Sequence, residues 1–241
     1  MLIIKTNRKT KGAFLLIAEL IVEMGLIGFL FLFILVTFFA SAAFGNKIGM
    51  SDFDSDAELQ KINNDPNKFK ISIVLALIEK ISVIILAIMV FIFFSPYSLI
   101  LGVVWAVFRI GEGLIQVYNE KKYWKLRNIA RKYSGSSGTE KNALSDLARS
   151  ILKTRNSRFT FAMVFWSIGT LAFSIVLVTS GVVPEIIGWL GIVASILSGF
   201  GNGIKLVKPN FEILSTIGGL SAILFEVIIG GWLLFLGINI Q

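Results

Sequence analysis

The 241-residue sequence contains no cysteine and no histidine. Without cysteine the sequence cannot supply a disulfide, a thiolate nucleophile, an iron–sulfur cluster or a cysteine-held zinc ion. Without histidine it lacks the commonest metal ligand and the usual general base. These absences exclude the Ser-His-Asp triad, histidine-ligated haem and histidine-based intramembrane metallohydrolases. We therefore predict no metal site, no cofactor and no catalytic residue, and the enzymatic alternative reduces to carboxylate pairs such as Glu79 and Glu226.

Charged residues are also scarce. They make up 16% of the chain, whereas 55% of the residues are apolar and the mean hydropathy is +0.80. A soluble globular domain has about 25% charged residues. This composition indicates an integral membrane protein.

Six apolar stretches are long enough to cross a bilayer, whose core needs about 20 apolar residues in a helix. We predict an all-α polytopic membrane protein that forms a single domain, residues 1–241, as a bundle of six transmembrane helices. The first stretch is far longer than the apolar region of about 7 to 15 residues in a signal peptide, so we interpret it as a membrane helix. The predicted spans are 14–44, 71–94, 98–119, 159–181, 184–204 and 212–238.

The connection between the third and fourth spans, residues 120–158, is strongly basic. It contains eleven Lys and Arg residues and three acidic ones, a balance equal to the net charge of +8 of the whole chain. Aromatic residues, including Tyr123 and Tyr133, lie among the basic ones, and this mixture suits the headgroup zone of a membrane. We predict that this basic amphipathic loop binds anionic lipid headgroups. The membrane-surface residues are Lys121, Lys122, Trp124, Lys125, Arg127, Arg131 and Lys132.

The second half of the same connection has the pattern of an amphipathic helix. Apolar residues from Leu144 to Leu152 recur with helical period, opposite polar ones. We expect this helix to lie on the membrane surface or against a partner, either another protein or a second copy of the chain. No nucleic-acid recognition motif accompanies the charge, so we expect no nucleic-acid partner.

The distribution of basic residues predicts the orientation. Six spans place seventeen Lys and Arg residues on the side of residues 120–158 and four on the side of both termini. Basic residues accumulate in cytoplasmic loops, so we expect residues 120–158 to be cytoplasmic. The opposite orientation remains open, because the first helix often dominates and its strongly basic flank is the N-terminal one.

Several ionisable residues lie near the middle of the predicted spans. Each charge at mid-bilayer costs about 2.5 to 3.5 kcal/mol, so these side chains must face inward and find partners. Trp105, Arg109, Glu112 and Gln116 follow helical spacing and form one stripe on the third span. Three carboxylates face two cations in the group, which leaves one carboxylate without a cation of its own. The predicted polar centre comprises Arg109, Glu112, Glu226, Glu79, Lys80 and Gln116.

Small residues line one face of the fifth span. They recur at intervals of four residues, a pattern that allows helix backbones to approach closely in lipid. We interpret them as positions where this helix packs against a neighbour in the bundle, with a dimer interface as the alternative. The residues are Gly191, Ser195, Gly199 and Gly203.

Three stretches resemble a known family. The stretch from Phe108 to Gly113 is similar to the pattern of arginine, two residues, glutamate and glycine in the prokaryotic membrane-protein family catalogued as domain of unknown function 4386. Pro184 followed by Trp189-Leu190-Gly191, and Glu226 followed by Trp232, Leu233 and Gly237, resemble two further patterns of that family. The resemblance implies six spans in a prokaryotic cell membrane, with Arg109, Glu112 and Glu226 as the signature polar positions. It implies no particular activity.

Two functions remain open from the sequence. The polar centre can bind a proton, a cation or a small polar solute in a transporter-like manner. Alternatively, the buried charges only fix the helix register, and the chain is a structural or accessory membrane protein whose basic loop binds anionic lipid or a partner subunit.

Overall fold

The computed structural model describes the backbone of residues 8–46 and 54–239 and the side chains of residues 21–46 and 54–237. Over these residues the chain forms eight helices and no strand. The helices are α1 (Arg8–Ala43), α2 (Ser55–Asn64), α3 (Pro66–Phe94), α4 (Leu99–Tyr123), α5 (Leu126–Gly135), α6 (Gly138–Ser180), α7 (Glu185–Val207) and α8 (Ile213–Asn239).

Within the described residues, six helices are long and apolar enough to cross a membrane: α1, α3, α4, α6, α7 and α8. This confirms the predicted all-α polytopic fold with six spans. The most extensive contacts join α1 to α3, α3 to α4, α4 to α6, α6 to α7, α7 to α8 and α8 back to α1. The six helices therefore form a closed ring.

The connections alternate between two faces of this ring, because each long helix crosses from one face to the other. One face, which we call the cap face, carries α2, α5 and the connection between α7 and α8. The other, which we call the short-loop face, carries the turns at residues 95–98 and 181–184.

Capping residues account for several of the helix boundaries. The carboxylate of Asp65 accepts a hydrogen bond from the backbone N–H of Lys68 at 2.8 Å. Pro66 occupies the first turn of α3, where its missing N–H leaves no bond unmade. Gly181 follows α6 with a φ of 69°, a backbone conformation that glycine adopts without steric cost. Asp65 and Pro66 thus mark the start of α3, and Gly181 marks the end of α6.

The segment predicted as a basic loop is mostly helical. It contains the end of α4, all of α5 and the beginning of α6, which is 43 residues long. At 1.5 Å per residue α6 measures roughly 65 Å, about twice the thickness of the bilayer core. Its first part therefore extends past the predicted span. We call α2, α5 and residues 138–158 of α6 the helical cap.

The helical cap has an apolar core of its own, which differs from the expected surface helix. Ala148 and Leu152 of α6 are buried against α2 and α5 rather than against lipid or a partner. Tyr123 and Tyr133, expected among the headgroups, are buried there as well. The cluster forms because α2, which lies between the first two predicted spans, presents two apolar side chains to α5 and α6. Its buried members are Leu59, Ile62, Phe69, Ile73, Tyr123, Leu126, Ile129, Ala130, Tyr133, Ala148 and Leu152.

A buried polar network joins the helical cap to the ring. The guanidinium of Arg155 donates to Glu120 Oε1 at 2.9 Å and also bonds Asn46 Oδ1 at the end of α1. Asn46 Nδ2 in turn donates to Glu120 Oε2 at 3.3 Å. The guanidinium lies over the Tyr123 ring, 3.7 Å from its centroid. This network fixes α1, α4 and α6 relative to one another where they leave the predicted spans.

Replacing Arg155 with alanine is expected to lower the free energy of unfolding by about 3 to 5 kcal/mol, because Glu120 then stays buried without its cation. Arg149→Ala, an exposed position on the same helix, should change it by no more than about 0.5 kcal/mol. Reversible unfolding in a denaturing detergent, followed by tryptophan fluorescence, measures both. Equal losses in the two variants would contradict the structural role of this network.

Candidate functional site: a polar cavity inside the helix ring

The six residues predicted as the polar centre all line one cavity inside the ring. The cavity has a volume of about 250 Å³, and all six long helices contribute to its wall. The charged groups come from α3, α4 and α8, so the ring brings together residues that are more than a hundred positions apart in sequence. The members of the polar centre are buried by the surrounding helices.

Arg109 and Glu112 of α4 form a close ion pair. They lie three residues apart on the same helix, and Arg109 Nη1 is 2.6 Å from Glu112 Oε2. Gln116, one turn further, donates from Nε2 to Glu112 Oε1 at 2.9 Å. The Arg109 guanidinium also lies over the indole of Trp105, with its Cζ 5.2 Å from the ring centroid. The stripe predicted on the third span is thus one connected set of contacts.

Glu226 reaches this set from α8. Its Oε1 accepts a hydrogen bond from Trp166 Nε1 of α6 at 2.9 Å. The distance from the same oxygen to Arg109 Nη2 is 3.8 Å, much longer than the Arg109–Glu112 contact. Of the three, Glu226 keeps the largest side-chain exposure, 11% against 1% for Arg109 and 4% for Glu112. Of the two carboxylates near Arg109, Glu226 is therefore the more exposed and the less closely paired.

Glu79 and Lys80 form an ion pair with each other on α3. Both are buried and both line the cavity. Lys80 Nζ also lies 6.0 Å from the centroid of the Phe38 ring of α1. With Lys80 paired to Glu79 and Arg109 paired closely to Glu112, the third carboxylate, Glu226, has no closely bound cation among the described residues.

The cavity extends from this centre toward the cap face. Its wall includes Ser198, Asn202 and Lys205 of α7 and Ser215 and Thr216 of α8, which lie near the cap-face ends of their helices. Lys205 Nζ lies 3.0 Å from Glu212 Oε1, so this ion pair lies at the end of the cavity nearest the cap face.

On the other side of the polar centre, the ring is filled with apolar side chains. The rings of Trp105 and Phe173 are tilted by 48° with centroids 4.8 Å apart, and Phe94 packs edge-on against Phe173 at 5.1 Å. Phe225, next to Glu226 in the chain, is fully buried in the same cluster. The cavity thus reaches the carboxylates from one face, and the aromatic cluster separates them from the short-loop face.

This site lies within a stretch that matches a known family. The family described as "Domain of unknown function (DUF4386)" matches residues 26–237. The chain belongs to the DUF4386 family. No curated protein and no solved structure matches the chain. The family match covers the ring and the cavity, including the Arg109, Glu112 and Glu226 positions implied by the resemblance.

Several polar or aromatic residues that line the cavity of this DUF4386 member were not predicted from its sequence, among them Trp166, Asn202 and Lys205. Trp166 was missed because its role depends on meeting Glu226 across two helices. Asn202 and Lys205 follow Ser198 at intervals of four and three residues. This polar stripe at the end of the fifth span is a signal that could have identified them. The row of small residues on the same helix indicates helix packing instead, and the predicted fifth span ends one residue before Lys205.

The row of small residues on α7 has two different environments. A side chain at Gly191 would collide with Ser174 of α6 and the Phe225 ring of α8. Ser195 is buried and donates to the Gly191 carbonyl at 2.7 Å, and a Cβ at Gly199 would lie 3.0 Å from Ser167 Oγ. A Cβ at Gly203 would have no atom within 4 Å. Gly191 and Gly199 therefore lie close to α6, and Ser195, Gly199 and Gly203 line a groove between α6 and α7.

The predicted membrane-surface residues lie on the last turn of α4, in the two-residue turn that follows it and on α5. Lys122 is half-buried and lies 5.1 Å from the Tyr118 ring centroid, while the others are exposed. The exposed members are Lys121, Trp124, Lys125, Arg127, Arg131 and Lys132. They form a basic surface on the outside of the helical cap, separate from the cavity.

Among the described residues, no three or more acidic side chains lie close enough together to hold a metal ion. The charged and polar side chains that line the cavity can form ion pairs and hydrogen bonds, and its carboxylates can accept a proton.

Arg109→Ala is expected to destabilise the protein by several kcal/mol, about 3 to 5, because Glu112 and Glu226 both lose their nearest cation. Glu226→Gln should cost much less, since the amide oxygen can still accept the Trp166 N–H. Detergent-induced unfolding compares the two variants directly. Similar losses would indicate that Glu226 belongs to the structural ion pair rather than to the cavity.

Proposed function

We propose that this DUF4386 protein is a transporter-like membrane protein that binds a proton, a cation or a small polar solute in the central cavity. The observation that carries the proposal is the cavity of about 250 Å³ that reaches Glu226 and the Arg109–Glu112 pair. A network that only fixes helix register needs no such space, because protein interiors are otherwise closely packed.

The one-sided shape of the cavity supports a transporter-like mechanism. In alternating access, a site near the middle of the membrane is open to one side at a time. Here polar residues line the path to the cap face, and an aromatic cluster occupies the path to the short-loop face. We propose that the cap face is cytoplasmic, in keeping with its excess of basic residues.

Single cysteines test the cavity directly, because the chain has no cysteine of its own. We expect Ala222→Cys, in the cavity wall one turn from Glu226, to react with a membrane-impermeant thiol reagent. It should react from the same side as Ser137→Cys, an exposed position on the helical cap. The matched control, Ala194→Cys, is fully buried in the apolar cluster and should not react.

Mass spectrometry of sealed vesicles of known orientation measures this labelling. Labelling of Ser137→Cys from the cytoplasmic side alone supports the proposed orientation. If Ala222→Cys is as unreactive as Ala194→Cys from both sides, water does not reach the polar centre and the proposal fails.

A second function is favoured by the exposed basic surface. Arg127 and Arg131 of α5 are exposed near Trp124, and this combination of cations with an exposed indole suits an anionic headgroup layer. In this alternative the protein is a structural or accessory membrane protein, and the basic surface binds anionic lipid or a partner subunit.

Under this alternative, the double variant R127Q/R131Q should weaken the preference for anionic lipid by about 1 kcal/mol per residue. Quenching of tryptophan fluorescence by brominated anionic lipid, compared with brominated zwitterionic lipid, measures the preference, and Trp124→Phe identifies the responding indole. The matched double variant R149Q/K153Q removes two exposed cations from α6. An equal loss in both double variants would mean that net charge, not the basic surface, attracts the lipid.

A further inference from the structure

We infer that the solute of the central cavity is a small monovalent organic cation, whose ammonium group lies at Glu226 and whose short hydrocarbon body contacts the apolar wall. This inference rests on the proposed function, since it names the class of solute for the same cavity.

The first argument is the local balance of charge. Lys80 is paired with Glu79, and Arg109 lies 2.6 Å from Glu112 but 3.8 Å from Glu226. The deep part of the cavity therefore holds three carboxylates and two cations, and the carboxylate with the most distant cation is Glu226. A charge in an apolar interior is costly unless it is paired, so the site favours a ligand with one positive charge.

The second argument is the position of Glu226 in the cavity wall. Its side chain is 11% exposed, and Glu226 is one of the residues that line the cavity. One of its oxygens accepts the Trp166 N–H, which holds the carboxylate in place. An incoming ammonium group could bind this preoriented carboxylate with little rearrangement.

The third argument is the composition of the wall opposite the polar groups. Phe159 and Met163 of α6, Ile34 and Leu35 of α1 and Ile223 of α8 face the same space as Glu226. Apolar and aromatic side chains around a single carboxylate form a site that suits an ammonium ion carrying hydrocarbon. The volume of about 250 Å³ corresponds to several water molecules and exceeds what a proton or a bare ion requires.

Anionic solutes fit this site less well. The three cations that line the cavity already have carboxylate partners: Lys80 with Glu79, Arg109 with Glu112, and Lys205 with Glu212 at 3.0 Å. An anion would have to compete with these pairs and would add to the negative charge near Glu226.

Three compounds that share a pentyl chain and differ in the head group test the inference: pentylammonium, 1-pentanol and hexanoate. We expect pentylammonium to bind the purified full-length protein in nanodiscs and the other two to bind at least about tenfold more weakly. Glu226→Gln should reduce pentylammonium affinity by about tenfold or more, because the charged partner is lost. Isothermal titration calorimetry measures each affinity.

The matched control is Glu185→Gln. Glu185 also accepts an indole N–H, from Trp189 at 3.0 Å, but it is exposed at the start of α7 and outside the cavity. This variant should bind pentylammonium like the unmodified chain. Equal losses in both variants would overturn the assignment of the site to Glu226.

Protection of Ala222→Cys is a second measurement that does not require a Glu226 variant to fold. We expect pentylammonium to slow thiol labelling at this position and hexanoate to leave it unchanged.

If hexanoate or 1-pentanol protects and binds as well as pentylammonium, the cation inference is overturned while the cavity remains a solute site. If Ala222→Cys reacts freely and no compound binds at millimolar concentration, the inference fails for this class of ligand. If Ala222→Cys is never labelled, both proposals fail.

Discussion

The burial of charge inside an apolar helix ring is the constraint on which the rest of this structure depends. A lone charge in the bilayer interior costs several kcal/mol, so each must turn inward and be paired. Arg109 meets this requirement through Glu112 on its own helix and, at a longer distance, through Glu226 of α8. The paired groups line a cavity in the half of the ring toward the cap face, whereas apolar side chains fill the other half.

A second buried ion pair connects the ring to the helical cap. Arg155 and Glu120 lie where α6 and α4 leave the predicted spans, and Asn46 adds the end of α1. Helix α6 runs unbroken from the helical cap to the cavity wall. Helix α4 carries Arg109 and Glu112 of the polar centre and ends in the basic surface, so the lipid-binding and transport proposals are compatible in one molecule.

Sequence patterns predict part of this arrangement for clear physical reasons. The six spans follow from hydropathy, and the contact between Arg109 and Glu112 follows from their spacing on one helix. The distance from Glu226 to Arg109 and its bond to Trp166 could not be predicted, because they depend on how α8 and α6 approach each other. The helical cap was also missed: α2 is polar on average, and only its two buried apolar residues, Leu59 and Ile62, show that it covers α5 and α6.

The central claim is that a solvent-accessible cavity reaches Glu226 from the cap face. An electron cryo-microscopy map of the protein in lipid nanodiscs, at a resolution that shows ordered water, tests it most directly. The account predicts density for water or a solute within about 3 Å of the Glu226 carboxylate, continuous with the cap face. A ring whose apolar side chains fill this space, with Glu226 bound to Arg109 as closely as Glu112 is, would contradict it.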